Sequence, residues 1–234
     1  MNEWKEKAKY LIKDKIGILF VISLIISLPS LLNIDISNIL TTLNKIFEAF
    51  RINLFIPQAL IDIILIVTLP IGIVTFLLSA AFSLSNHYVY LKVAHEDKPN
   101  ISDSFYGFKD FGAALKLYFL MTLYIYLWSF LFIIPGIIKA YQYSMAPYIL
   151  AENPGMSAKE CINMSKEMTE GYKFSLFLLD LSFIGWNILV GLTMGILSIW
   201  VQPYYNTAKA NAYLEMSSNY TDIDDNVVYD TTIE

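Results

Sequence analysis

WSFLFIIPGIIKAYQYSMAPYILAENPG, residues Trp128 to Gly155, decides how often this chain meets a membrane. The stretch opens as a membrane helix and reaches Pro135-Gly136. It then carries Lys139, Gln142, Tyr141, Tyr143, Pro147 and Tyr148 into what should be more lipid. If the chain does not return here, 139–173 is one outer loop and the protein has four spans. If Pro135–Ala151 crosses back, every later loop changes side. Hydropathy alone does not choose. The charge-free part after the break, Ala140–Ala151, is shorter than the ~20 apolar residues a spanning helix needs.

The neighbouring blocks are clearer. Upstream, Leu117–Ile138 and Ile63–Leu91 carry no Asp, Glu, Lys or Arg, and the second is long enough to tilt, to bend at Pro70 or to project beyond a bilayer. Downstream, Ser157–Glu170 reads as a soluble-looking helix. Ser157 and Glu160 form a capping box, Gly171 supplies the stop, and Ala158, Cys161, Met164, Ser165 and Met168 form a weakly apolar face. Phe174–Ala208 has one charge, Asp180. As a single helix it would measure ~52 Å against a hydrocarbon core of ~30 Å. A tight hairpin near Gly191–Gly195 resolves this into Phe174–Gly191 and Gly195–Leu214, with Pro203 tolerated among neighbouring helices.

The ends follow. Residues 2–15 form a basic amphipathic helix, with Trp4, Ala8, Leu11 and Ile12 on one face and five lysines around it. It suits an anionic membrane surface or serves as a charged flank. Ile16–Ile34 reads as an uncleaved signal anchor, with no A-x-A-like site after it. Asn38–Ile56 carries an apolar stripe (Ile39, Leu43, Ile46, Phe47, Phe50, Leu54), with Lys45, Glu48 and Arg51 off it, and is expected to lie along the outer interface. In the Lys92–Lys116 connection, Ile101, Phe105, Phe108 and Phe111 predict a short helix at the cytoplasmic interface. Residues 217–234 are acidic without a base and are expected to be a disordered tail, closing a single membrane domain of 1–216.

Composition agrees. Hydrophobic residues make up 56%, charged residues 16%, and mean hydropathy is +0.52. Soluble domains carry roughly 25% charged residues. The net charge of -5 leaves no basic footprint for nucleic acid, and a lone cysteine, Cys161, excludes an intramolecular disulfide and a thiolate zinc site. Four spans divide lysines and arginines ten inside to six outside. Six spans divide them twelve to two, the better fit to the positive-inside rule. The expected fold is therefore all-α: a polytopic transmembrane helical bundle of six membrane helices with interfacial amphipathic helices and both termini cytoplasmic. Four spans, or a re-entrant 136–151 segment, are the alternatives.

FIIPGIIKAYQYSMAPYILAENPGMSAKE, the run SKEMTEGYKFSLFLLDLSFIGWNILVGLTMGI and WVQPYYNTAKANAYLEM resemble the bacterial integral-membrane family called domain of unknown function 975. Its marks are IPGI at Ile134–Ile137, AENPG at Ala151–Gly155, LSFIGW at Leu181–Trp186 and PYY at Pro203–Tyr205. The resemblance implies a polytopic protein of the cytoplasmic membrane of Gram-positive-type bacteria, and no activity.

Charges at membrane depth are costly and are functional candidates. Asp62 and Lys139 match in depth near the outer side and could pair. Asp180 and His87, with Asn86 nearby, match near the cytoplasmic side, and Asn187 and Gly191 share the helical face of Asp180. The plainer alternatives are snorkelling or a structural ion pair for Asp62 and Lys139, an interhelical hydrogen bond for Asp180, and an interfacial packing role for His87. H-E-x-x-H, G-x-S-x-G, C-x-x-C, P-loop and G-x-G-D patterns are all missing. No cofactor is implied. The expected function is non-catalytic, exercised through the lipid bilayer, a membrane-protein partner or a second copy of the chain. A small transporter or lipid-handling protein, with a polar site between proline-broken helices, is the alternative.

Overall fold

The computed structural model describes residues 2–32 and 58–230, except the side chains at 30–32, 58–65, 67–69 and 222–230. Every regular element among the described residues is helical. The expected outer helix 38–56, the last four tail residues and the Asp62 side chain lie outside them. Among the described residues, three helical stretches are long and apolar enough to cross a membrane: Pro70–Ala94, Phe111–Leu131 and Lys173–Leu192.

The chain divides into two compact units. The smaller, Ser27–Ser79, contains the end of α2 (Ile16–Leu32) and the first part of α3 (Gln58–Ala94). Its α3 residues Ile66, Ile71, Ile73, Val74 and Phe76 are exposed, as suits a surface facing lipid. The larger unit, Met1–Ile26 with Ala80–Glu234, holds everything described next.

α1 (Asn2–Ile12) buries Trp4, Ala8, Leu11 and Ile12, the face expected from its spacing. The partner differs from a membrane surface. α1 lies against the last helix, α10 (Ser198–Asp230). Asn211 Nδ2 donates to the Trp4 carbonyl at 3.1 Å, and the Trp4 indole N–H donates to Glu215. Helical periodicity reports an apolar face, and protein covers it here. Lys15 then donates to the carbonyls of Glu96 and Asp97, which fixes the start of α2 beside the end of α3.

The connection after α3 forms a 3-10 helix, Ile101–Phe108, capped by Asn100 and Asp103. Gly107 sits so close to α3 that a Cβ would lie 2.0 Å from the Ala81 carbonyl oxygen, and its N–H donates to Ser85 Oγ. Ile101, Phe105 and Phe108 face outward, the last two in ring contact with Phe82.

α4 (Phe111–Leu131) ends at Phe132, whose extended backbone (φ -156°, ψ 141°) turns the chain into α5 (Ile133–Tyr143). Pro135 falls in the first turn of α5, where a missing N–H costs no intrahelical bond. Gly136 lets the two helices close: a Cβ there would lie 2.0 Å from Ser129 Oγ. α5 stops at Ser144 and the chain continues as α6 (Ala146–Glu152), with residues 146–151 all buried. The break is bridged by α7 (Ala158–Met168). Ser165 Oγ donates to the Gln142 carbonyl at 2.7 Å and accepts from the Met145 N–H at 3.2 Å. The Ser157/Glu160 capping box is formed, and Gly171 (φ 82°) ends the segment.

The Phe174–Ala208 run is not one helix. α8 (Lys173–Ser182) breaks at Phe183, α9 (Ile184–Leu192) follows, and Met194 and Gly195 in positive φ reverse the chain into α10. Phe183 meets the rings of Tyr204 and Tyr205, so α10 returns antiparallel along α8 and α9. α10 continues through Asp230, into the segment whose composition suggested disorder. At its described start Tyr220 Oη donates to Glu167 at 2.8 Å and Asn219 Nδ2 to Tyr172 at 2.7 Å.

Candidate functional site

Asp180, a residue selected from the sequence, is the centre of a polar cluster in the larger unit. α8 carries it, and α5 and α10 bring three partners to its carboxylate. Tyr141 Oη donates to Oδ2 at 3.0 Å, and Tyr205 Oη donates to Oδ1 at 2.8 Å. Lys209 Nζ lies 3.5 Å from Oδ1. The same ammonium sits over the Tyr205 ring, 5.0 Å from its centroid. Tyr205 and Lys209 are one helical turn apart, so a single face of α10 carries both. Asp180 is 29% and Lys209 20% exposed, so the pair is only partly withdrawn from its surroundings. Both carboxylate oxygens are occupied by this protein's own donors. As it stands the cluster ties three helices together.

Lys5 extends the same layer: its ammonium donates to Ser182 Oγ at 3.2 Å and lies over the Phe183 ring. Lys139, two residues before Tyr141 on α5, rests over the Trp128 ring at 5.0 Å.

His87 belongs to a different set of contacts. Its Nδ1 is 2.7 Å from the Ser83 carbonyl. A carbonyl only accepts, so Nδ1 carries the proton there. Tyr118 Oη is 3.2 Å from the same nitrogen, and the Tyr148 ring meets the imidazole edge-on at 4.6 Å. His87, which matches Asp180 in depth by sequence, thus has Tyr118 and Tyr148 at its ring. Asn187 is exposed on α9 beyond the Phe183 break and does not join the Asp180 partners.

A second polar cluster closes the lysine-rich end. Tyr213 donates to Glu152, and His95 Nε2 approaches the other Glu152 oxygen at 3.4 Å. Tyr106 Oη donates to the Ala151 carbonyl at 2.9 Å. The AENPG stretch is thus a junction at which the loop after α3, α6 and α10 meet. Nearby, the Cys161 thiol is fully buried, and burial pushes its pKa from 9.0 to about 11. The Ser157 N–H and hydroxyl hold the Glu160 carboxyl below its ordinary value.

Among the described residues no three His, Cys, Asp or Glu side chains come together as metal ligands. Tyr141, Tyr205 and Lys209 were not selected from the sequence. Tyr205 stands within the PYY mark, and its i,i+4 relation to Lys209 was the available signal.

The profile of the family described as "Protein of unknown function (DUF975)" matches residues 1–141 and 131–220. No curated protein and no solved structure matches the chain. The match spans the IPGI turn, the AENPG junction and Tyr205, and the chain belongs to the DUF975 family.

Proposed function

We propose that this chain is a non-catalytic, multi-pass protein of the bacterial cytoplasmic membrane that acts through lipid or protein partners. It has six membrane helices, and both termini are in the cytoplasm. One observation carries the reading. The lysine-bearing segments 1–15, 92–116 and 152–173 are joined to one another at one end of the larger unit, through Lys15 to Glu96 and Asp97, His95 to Glu152, and Tyr106 to Ala151. Such a gathering of bases is the cytoplasmic signature of a membrane protein. Away from that end the hairpin tips are apolar and open, with Phe130 94% and Met194 97% exposed.

The engaged state of Asp180 supports a non-catalytic role. A transporter site would present free acceptors, and here Tyr141, Tyr205 and Lys209 take both oxygens.

Sidedness is tested with Asn163→Cys in a Cys161→Ala background, because the native thiol is too buried to label. A membrane-impermeant maleimide is expected to react only after permeabilisation; reaction in intact cells would reverse the orientation. The role is tested by complementing a deletion strain's phenotype. Asp180→Asn, at normal membrane abundance, is expected to complement fully. Loss of complementation at that abundance would favour the transporter.

A further inference from the structure

Beyond the polar end, the α4–α5 hairpin reaches less far than a bilayer is thick. Two rulers measure its reach beyond the polar end. The first is α7, whose Lys159, Glu160, Asn163 and Glu167 are exposed and require water or headgroups. This helix is locked to α5 at Gln142 by Ser165 and Thr169, and Lys166 lies 5.9 Å from the Tyr143 ring centroid. From Gln142 to the turn at Phe132 is about 15 Å of helix. The second ruler is α4. Its Tyr124 ring stands 6.2 Å from that of Tyr143, so both helices share that level. From Tyr124 to Phe132 is about 12 Å. Even from Lys116, the last charge before the hairpin, an upright helix covers ~24 Å, against ~30 Å of hydrocarbon.

The turn suits a place inside hydrocarbon. Ser129–Ile138 carries no charge, and Phe130, Leu131, Phe132, Ile133 and Ile134 are all exposed. The Phe132 N–H donates to the Trp128 carbonyl, the Gly136 N–H to the Phe132 carbonyl, and Pro135 has no N–H. That limits the unpaired donors that lipid penalises. Lys139 lies about 10 Å of helix back from the turn, its ammonium held over Trp128.

We infer that two of the six membrane helices, α4 and α5, do not cross the bilayer but form a re-entrant wedge: it enters one leaflet from the lysine-rich side, turns at Phe132–Gly136 among the acyl chains near mid-bilayer, and returns to the same side. Its partner is the acyl-chain region of that leaflet. The inference rests on the polar end facing water, as in the proposed function, and not on which compartment that is.

The test uses Phe130→Cys and Ile134→Cys in the Cys161→Ala background, with Asn163→Cys as the reference, in cells and in vesicles of both orientations. Neither tip cysteine is expected to react with impermeant maleimide from either side. Nitroxides attached there should show the highest ratio of oxygen to nickel-chelate accessibility, falling toward labels at 124 and 143. Reaction of a tip from the side opposite Asn163→Cys would overturn re-entry in favour of a full crossing. Reaction from the same side would place the hairpin on the surface and overturn it equally. Asn163→Cys reacting from outside, with both tips silent, would reverse the orientation of the protein and leave the wedge standing. Ile133→Lys is expected to lower membrane abundance at least fivefold, and unchanged abundance would refute a tip in hydrocarbon.

Discussion

Replacing Asp180 with asparagine separates a structural tie from a working site. Asparagine keeps one acceptor oxygen, so it serves Tyr141 or Tyr205 and not both, and turns an amide N–H toward the other. The loss of one hydrogen bond to a charged acceptor is about 1.5–3 kcal/mol. Lys209 also loses its counter-charge. A buried cation stripped of its partner costs about 3–5 kcal/mol. The exposure of both side chains, 29% and 20%, brings this contribution down to about 1 kcal/mol. The expected destabilisation is therefore about 3 kcal/mol. Lys209→Met in the Asp180→Asn background should recover about 1 kcal/mol, because it removes the unpaired cation. The assay is unfolding of the detergent-purified protein by added SDS, followed by pulsed thiol labelling at pH 8. Cys161, on α7, is the reporter, since its thiol is fully buried in the fold and becomes reactive only when α7 comes away from its neighbours. A destabilisation below about 0.5 kcal/mol, or strictly additive effects at positions 180 and 209, would refute the network as a tie between α5, α8 and α10.

Two further outcomes follow from the packing. Trp4→Ala should cost about 3–5 kcal/mol in the same unfolding assay, as expected for a large buried aromatic; a stable variant that merely loses affinity for anionic vesicles would restore the membrane-surface role of α1. Burial raises the Cys161 pKa from 9.0 to about 11, so the folded state holds this proton more tightly than the unfolded chain. That stabilisation is fully present below pH 9 and is lost as pH rises to about 11. Wild type should lose stability across that window relative to Cys161→Ala, and parallel pH profiles would show that the thiol does not contribute.

Much of the architecture was legible because its signals act within one helical turn. The spacing of Trp4, Ala8, Leu11 and Ile12 marks the buried face of α1, Ser157 and Glu160 mark the start of α7, and the length of the run after Phe174, with Asp180 its one charge, demands a reversal, which Gly195 makes in left-handed backbone. Family membership was legible in the same way, through short local marks. What covers an apolar face is not local. Periodicity reads the same whether α10 or a lipid leaflet lies against α1. Nor are the Asp180 donors local: Tyr141 and Tyr205 stand 39 and 25 residues away and arrive only because three helices pair in one register. Asn187 lies exposed on α9, past the interruption at Phe183, which helical spacing from Asp180 does not register. Hydrophobic pattern and turn chemistry therefore set the helices, their ends and their apolar sides. Helix pairing, through close contacts such as Gly136 on Ser129, decides whether a given side meets protein or lipid and which polar groups neutralise one another.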